Sequence, residues 1–214
     1  GGFSPSFHPE LYEKDYYIGM GETAENLSQE LNISRQDQEE FAINSHKKAL
    51  EASSSGNFSN EIVPINFNDK TISADEGPRE PNIEKIKSLE PAFDSEGTIT
   101  AATSSPISIG ASAVLVSSNK LAEKSGIKPE FKILSRAIAG VDWTKMGMGP
   151  FPATEKALQK ADLSMDAIDV IELNEAFAAQ SLYVIRKGGW DLNKINLNGG
   201  AIALGHPLGC SGSR

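Results

Sequence analysis

Four short runs rich in β-branched and small apolar residues punctuate the second half of the chain: Ala113 to Val116, Phe131 to Val141, Val170 to Asn174 and Ile195 to Asn198. Helical patterns at Pro152 to Lys160 and Glu175 to Lys187 lie between them. Strands that alternate with helices build βαβ units, so the pattern predicts an α/β protein with a largely parallel or mixed sheet. In such sheets chemistry gathers where the chain leaves the carboxyl end of a strand. Asn174 and His206 both fall at such exits.

The first half reads as helical and irregular. Thr23, Ala24, Leu27 and Leu31 recur at helical spacing, and Ser34 with Asp37 forms a capping box for a second helix. That helix places Phe41, Ala42, Ser45, Ala49 and Ala52 on one face and stops near Gly56. Glu61 to Phe67 alternates like a short strand, 75–79 reads as a loop, and a short helix runs from Asn82 to Leu89 ahead of Pro91.

Composition narrows the class. With 20 basic and 29 acidic side chains the formal charge is -9, which repels phosphate backbones and anionic lipid and argues against nucleic acid or a membrane surface as partner. No apolar run approaches the ~20 residues that span a bilayer, and the start at Gly1 has no secretory pattern, which points to an intracellular, cytoplasmic protein. The single cysteine, Cys210, excludes an internal disulfide and a zinc site of several thiolates. His8, His46 and His206 are too scattered for a histidine metal site, so no metal is expected. His8 and His46 read as solvated. Cys210 to Arg214 reads as the opening of a helix, and the 214 residues are accordingly expected to be part of a longer protein.

Asn198 to Gly209 packs glycines and small residues around His206. An imidazole fixed on such a turn can exchange protons near neutral pH, while the same pattern also fits a tight turn with a surface histidine. Asn174 sits where a strand passes into a helix; it can cap that helix or donate to an oxyanion, and Glu175 beside it suits the positive helix end. Gly19 to Ala24 fits the loose dinucleotide fingerprint, but residues 13–18 make a poor preceding strand. Cys210, four residues after His206, fits either a nucleophile or a packing role.

Taken together these segments resemble the thiolase family. Asn198 to Arg214 is similar to the family's histidine signature, Asn174 to Phe177 to its Asn-Glu-Ala-Phe motif, Gly19 to Asn26 to its Met-Gly-x-Thr-Ala-Glu-Asn stretch, Ile33 to Glu40 to its Ile-Ser-Arg segment, and Pro91 to Ala101 to its Pro-Ala-Phe-Asp run. The resemblance implies a layered αβαβα thiolase-like fold, present in part, with a mainly helical lid domain. Residues 1–107 would be the coenzyme A-binding lid, 108–123 the end of the N-terminal half and 124–214 the first part of the C-terminal half. It implies an acyl-CoA C-acyltransferase working by ping-pong acyl transfer, with coenzyme A or acetyl-CoA as substrate, no cofactor, and assembly of the intact protein as a homodimer or homotetramer.

By the same resemblance His206 would activate a cysteine nucleophile and Asn174 would hold an oxyanion-hole water. Met20, Arg79, Phe93, Ala101, Ser105, Ala176 and Phe177 would line the coenzyme A and acyl site. Both family cysteines would lie outside these residues, leaving the portion alone inactive. Gly19 stands where many short-chain biosynthetic members of that family carry a histidine, Ser108 to Gly110 replaces a common Asn-Asp-Gly, and the Thr103 to Pro106 run is nearer to degradative members. The rival readings are a non-catalytic coenzyme A or lipid-binding module and a nucleotide-dependent oxidoreductase.

Overall fold

The computed structural model describes residues 8–214. After a short helix, α1 (Pro9–Glu13), the first half is built on α2 (Met20–Glu30) and α3 (Arg35–Ser54). The Ser34 capping box forms: Asp37 N–H donates to Ser34 Oγ at 3.1 Å, and Ser34 N–H to Asp37 Oδ2 at 3.2 Å. α3 buries Ala42, Ser45, Ala49 and Ala52, and ends at Ser54, just ahead of Gly56, whose φ of 77° breaks the helical path. β1 (Ile65–Phe67) and β2 (Lys70–Ile72) pair antiparallel across Asn68 and Asp69, both at positive φ, the geometry of a two-residue hairpin turn. α4 (Ile83–Lys87), capped by Asn82, follows.

The second half holds α5 (Asn119–Ser125), a 3₁₀ segment Trp143–Met148, α6 (Pro150–Ala161), α7 (Ala178–Gly188) and α8 (Ala201–Leu204). α7 is the central element, with its residues from Ala178 to Ile185 all buried. Leu173, Val184, Ile185, Trp190 and Ile195 form one core cluster; Leu27, Ile33, Leu182 and Tyr183 form a second, and Phe41 packs against both. The small residues Ala24 and Ala179 meet around Ile99, and Ala42 and Ala178 around Ile202, which lets the helices approach closely. No helix among the described residues is long and apolar enough to cross a membrane.

The sheet expected from the second half does not assemble. Among the described residues the only sheet is the β1–β2 hairpin. Residues 113–116 and 131–141 carry no ladder, and Leu115 is 81% exposed and Phe131 90%. A strand needs an edge to hydrogen-bond, and among the described residues none lies beside these runs, although 131–141 rests on α6, where Ser135 Oγ donates to the Ala157 carbonyl at 2.6 Å. One piece of parallel pairing survives, the bridge of Ile171 to Ile195, with Ile171 N–H donating to the Lys194 carbonyl at 2.8 Å and Asn196 N–H to the Ile171 carbonyl at 2.9 Å. The Asn196 side chain extends it, accepting from Leu173 N–H and donating to the Leu173 carbonyl, each at 2.8 Å.

Candidate functional site

The chain leaves the Ile171–Leu173 segment at Asn174, and α7 begins only at Ala178, with Phe177 as its cap residue. Asn174 therefore caps nothing, contrary to the simplest reading of its position, and its carboxamide is exposed. His206 follows α8 by way of Gly205, whose φ is 91° and where a Cβ would lie 2.3 Å from Ser108 Oγ. The two side chains meet: Asn174 Nδ2 is 3.4 Å from His206 Nε2. The far side of the ring is held as well, with Nδ1 2.7 Å from Ser211 Oγ.

Beneath this pair lies a buried carboxylate. Glu175 does not serve the start of α7 as expected; it is 2% exposed and accepts from Ser45 Oγ at 2.6 Å, from Asn196 Nδ2 at 2.8 Å and, in the first turn of α8, from Ile202 N–H at 3.2 Å. Burial raises its pKa, and the three hydrogen bonds and the Lys48 charge oppose that rise. One side chain thus ties α3, the 195–200 turn and α8 to the residue adjacent to Asn174. A Cβ on Gly200 would come within 2.1 Å of that carboxyl carbon, so the turn accepts only glycine here.

Of the remaining candidates, several come together. Phe93 and Phe177 pack edge to face with centroids 5.6 Å apart, and Ser105 N–H donates to the Ala176 carbonyl at 2.9 Å. Phe93 also covers Gly21, where a Cβ would strike its ring at 2.1 Å, which brings the start of α2 and the exposed Met20 beside it. Ala101 opens the 3₁₀ turn Ala101–Thr103 leading to Ser105. This loop is anchored by buried Glu25, which accepts from Thr98 N–H at 2.9 Å and Ile99 N–H at 2.8 Å. Arg79 is exposed, and its guanidinium donates to the carbonyl of its own loop at Gly77, 3.4 Å away. That loop lies on α8, since a Cβ on Gly77 would meet the Ala203 carbonyl oxygen at 2.3 Å.

His46 corrects the sequence reading. It is 5% exposed rather than solvated, and its Nδ1 accepts from Arg79 N–H at 3.4 Å. Burial, with the Arg79 charge, lowers its pKa. Cys210 is buried and free, 3.4 Å from where a Gly110 Cβ would be, in the role of a packing residue. The Gly19 to Ala24 fingerprint has no strand before it; Gly19 is the N-cap of α2, and its N–H donates to Glu22 Oε2 at 2.7 Å. Among the described residues no group of His, Cys, Asp and Glu could hold a metal ion.

Sequence reasoning did not find Ser211 or the Glu175–Ser45–Asn196 cluster. Ser45 was legible only as one residue on the buried face of α3, and its partner stands 130 positions away. No local pattern distinguishes Ser211 from Ser213.

The family model of the thiolase N-terminal domain matches residues 7–120, and that of the thiolase C-terminal domain matches 127–214. A 3-ketoacyl-CoA thiolase of Idiomarina loihiensis is 51% identical over 91% of this chain and 53% of its own length. An acetyl-CoA acetyltransferase of Syntrophomonas wolfei is 47% identical over 91% of the chain and 51% of its own. The crystal structure of human mitochondrial 3-ketoacyl-CoA thiolase in complex with CoA superposes with a TM-score of 0.91 at 38% identity, covering 100% of this chain and 56% of that one. The chain spans about half the length of the curated relatives it matches. With both halves of the family matched in order and the partial α/β fold shared with its solved members, the chain belongs to the thiolase family.

Proposed function

We propose that this chain carries the histidine and asparagine portion of an acyl-CoA C-acyltransferase active site, in a transferase that makes or cleaves carbon-carbon bonds on coenzyme A thioesters by ping-pong acyl transfer. The observation that carries the reading is the approach of Asn174 Nδ2 to His206 Nε2, 3.4 Å apart, above a buried framework. An imidazole nitrogen beside a carboxamide N–H supplies a proton acceptor and a fixed donor within one small volume. Thioester chemistry needs both: a base to generate a thiolate, and donors for the oxygen on which charge develops.

In this reading a cysteine from outside these 214 residues attacks the thioester, His206 Nε2 takes its proton, and Asn174 holds a water that faces the acyl oxygen. Cys210, buried where it packs against Gly110, does not serve. Met20, Phe93, Ala101, Ser105, Ala176 and Phe177 line the pantetheine and acyl side, where the Phe93–Phe177 pair offers an apolar wall. Arg79, exposed with its guanidinium directed only to its own loop, faces the nucleotide phosphates. Residues 1–107 form the coenzyme A-binding lid, 108–123 close the first half and 124–214 open the second.

Coenzyme A or acetyl-CoA is the co-substrate, with no cofactor and no metal. Similarity to relatives named 3-ketoacyl-CoA thiolase supports a place in fatty acid metabolism by β-oxidation. The intact protein is a cytoplasmic homodimer or homotetramer with no nucleic acid partner and no membrane insertion. Thiolytic cleavage of acetoacetyl-CoA by the full-length protein tests the reading: His206→Ala abolishes it, and full activity in that variant would remove His206 from the chemistry.

A further inference from the structure

The ring of His206 is gripped at both nitrogens, and the partners differ in what they can exchange. Asn174 Nδ2, 3.4 Å from Nε2, has only hydrogens to offer. Ser211 Oγ, 2.7 Å from Nδ1, can donate or accept, and it also lies 3.2 Å from the Pro207 carbonyl oxygen. We infer that Ser211 is a positioning residue that fixes His206 in the Nδ1-protonated tautomer, leaving the Nε2 lone pair turned toward Asn174 and the open surface.

One arrangement of protons satisfies all three contacts. Asn174 Nδ2–H donates to Nε2, Nδ1–H donates to Ser211 Oγ, and the single hydroxyl proton of Ser211 goes to the Pro207 carbonyl. In the reverse arrangement the hydroxyl proton points at Nδ1 and an N–H on Nε2 confronts the N–H of Asn174. Two donors facing each other beside a half-buried ring gain no hydrogen bond and repel. The serine is itself fixed, because Ser211 N–H and Cys210 N–H both donate to the Pro207 carbonyl, at 3.0 and 2.9 Å. Cys210 beside it is buried at 2% exposure, which keeps this turn packed against the protein.

The inference rests on the thiolase reading for its use, though not for its geometry. When a thiol approaches, its S–H bond breaks, the electron pair stays on sulfur, and the proton forms a bond to Nε2. Only the Nδ1-protonated tautomer has a lone pair there to receive it. The resulting imidazolium turns the Nδ1–H to Ser211 contact into a charge-assisted hydrogen bond, which strengthens as the thiolate forms.

The test uses the intact protein carrying 15N-labelled histidine, at about pH 8, above the ordinary imidazole pKa. Nitrogen shifts of His206, assigned by their loss in His206→Asn, report the tautomer. The expected result is a protonated Nδ1 and a bare Nε2 in the native protein and in Ser211→Thr, with a shift toward the other tautomer in Ser211→Ala. Acetoacetyl-CoA thiolysis in Ser211→Ala should fall in kcat by roughly tenfold to hundredfold, the effect seen when the orienting partner of a metal-bound imidazole is removed, with KM for coenzyme A unchanged and recovery in Ser211→Thr. A native protein with its proton on Nε2 overturns the inference without any variant. So does an unaltered tautomer or full activity in Ser211→Ala. Absence of thiolysis in the native protein with the Nδ1-protonated tautomer observed would defeat the proposed reaction and leave the tautomer assignment standing.

Discussion

Ser45 Oγ donates a 2.6 Å hydrogen bond to Glu175 Oε2, joining the middle of α3 to the residue that follows Asn174. The same hydroxyl accepts from Gly200 N–H at 3.1 Å, so the contact also holds the turn that leads to His206. Glu175→Ala leaves the Ser45, Asn196 and Ile202 donors without their acceptor in a buried site, and should lower unfolding stability by on the order of 3 kcal/mol in urea titrations. Burial raises the Glu175 pKa above its ordinary 4.5, so folding favours the neutral form relative to the unfolded chain. Its contribution to stability is therefore full below pH 4.5 and declines as pH rises through the raised folded value. Glu175→Gln, which cannot titrate, should be free of that decline, and a parallel pH profile in the two proteins would refute it.

His46 gives the opposite slope. Burial and the neighbouring Arg79 depress its pKa below the ordinary 6.5, so the unfolded chain takes up a proton before the folded one does. Stability is at its full value above pH 6.5 and is lost as pH falls through the depressed folded value. Thermal unfolding of His46→Gln should lose part of the native protein's sensitivity between pH 7.5 and about pH 5, the range in which an ordinary histidine charges. Equal shifts in both proteins would show that His46 takes its proton in the fold at no cost.

Gly199 has a φ of 84°, and a Cβ there would stand 2.7 Å from both Ala49 N and the Ser45 carbonyl oxygen, backbone atoms of α3 that cannot step aside. Gly199→Ala should destabilise by roughly 2–4 kcal/mol through left-handed strain and overpacking combined. Denaturant midpoints compared with Gly209→Ala, where nothing lies within 4 Å of an added Cβ, provide the control. Comparable losses at both positions would contradict the close approach of the turn to α3.

Asn174→Ala in the intact protein removes the donor beside His206 without touching the buried framework, since Asn174 is exposed. Thiolysis should slow by about 10²–10³ in kcat, the range for loss of one fixed oxyanion donor. Unfolding stability should stay within about 0.5 kcal/mol of the native value, as for other surface substitutions. A large stability loss with full activity would reverse the roles assigned to Asn174 and Glu175.

The helices α2, α3, α6 and α7 were readable because periodicity and caps are local: Ser34 with Asp37 and the small-residue face of α3 depend on residues a turn or two apart. The segments that carry Asn174 and His206 stand out in the sequence for a related reason, each being short and of distinctive composition. The strands of 113–116 and 131–141 were not, because an apolar β-branched run states a preference for pairing and cannot supply the edge it pairs with. Of the four runs of the second half, the described residues pair those of Ile171 and Ile195.

The amino-acid order alone determined the helical face of α3, the glycine-bounded turn around His206 and the family to which these segments belong, since all are carried by residues near one another in the chain. Tertiary structure decided which groups became neighbours across long stretches: Ser45 with Glu175 over 130 positions, Asn174 with His206 over 32, and a histidine withdrawn from water beside Arg79. Hydrogen bonds and desolvation act through distances of a few ångströms, and those distances exist only once the chain has packed.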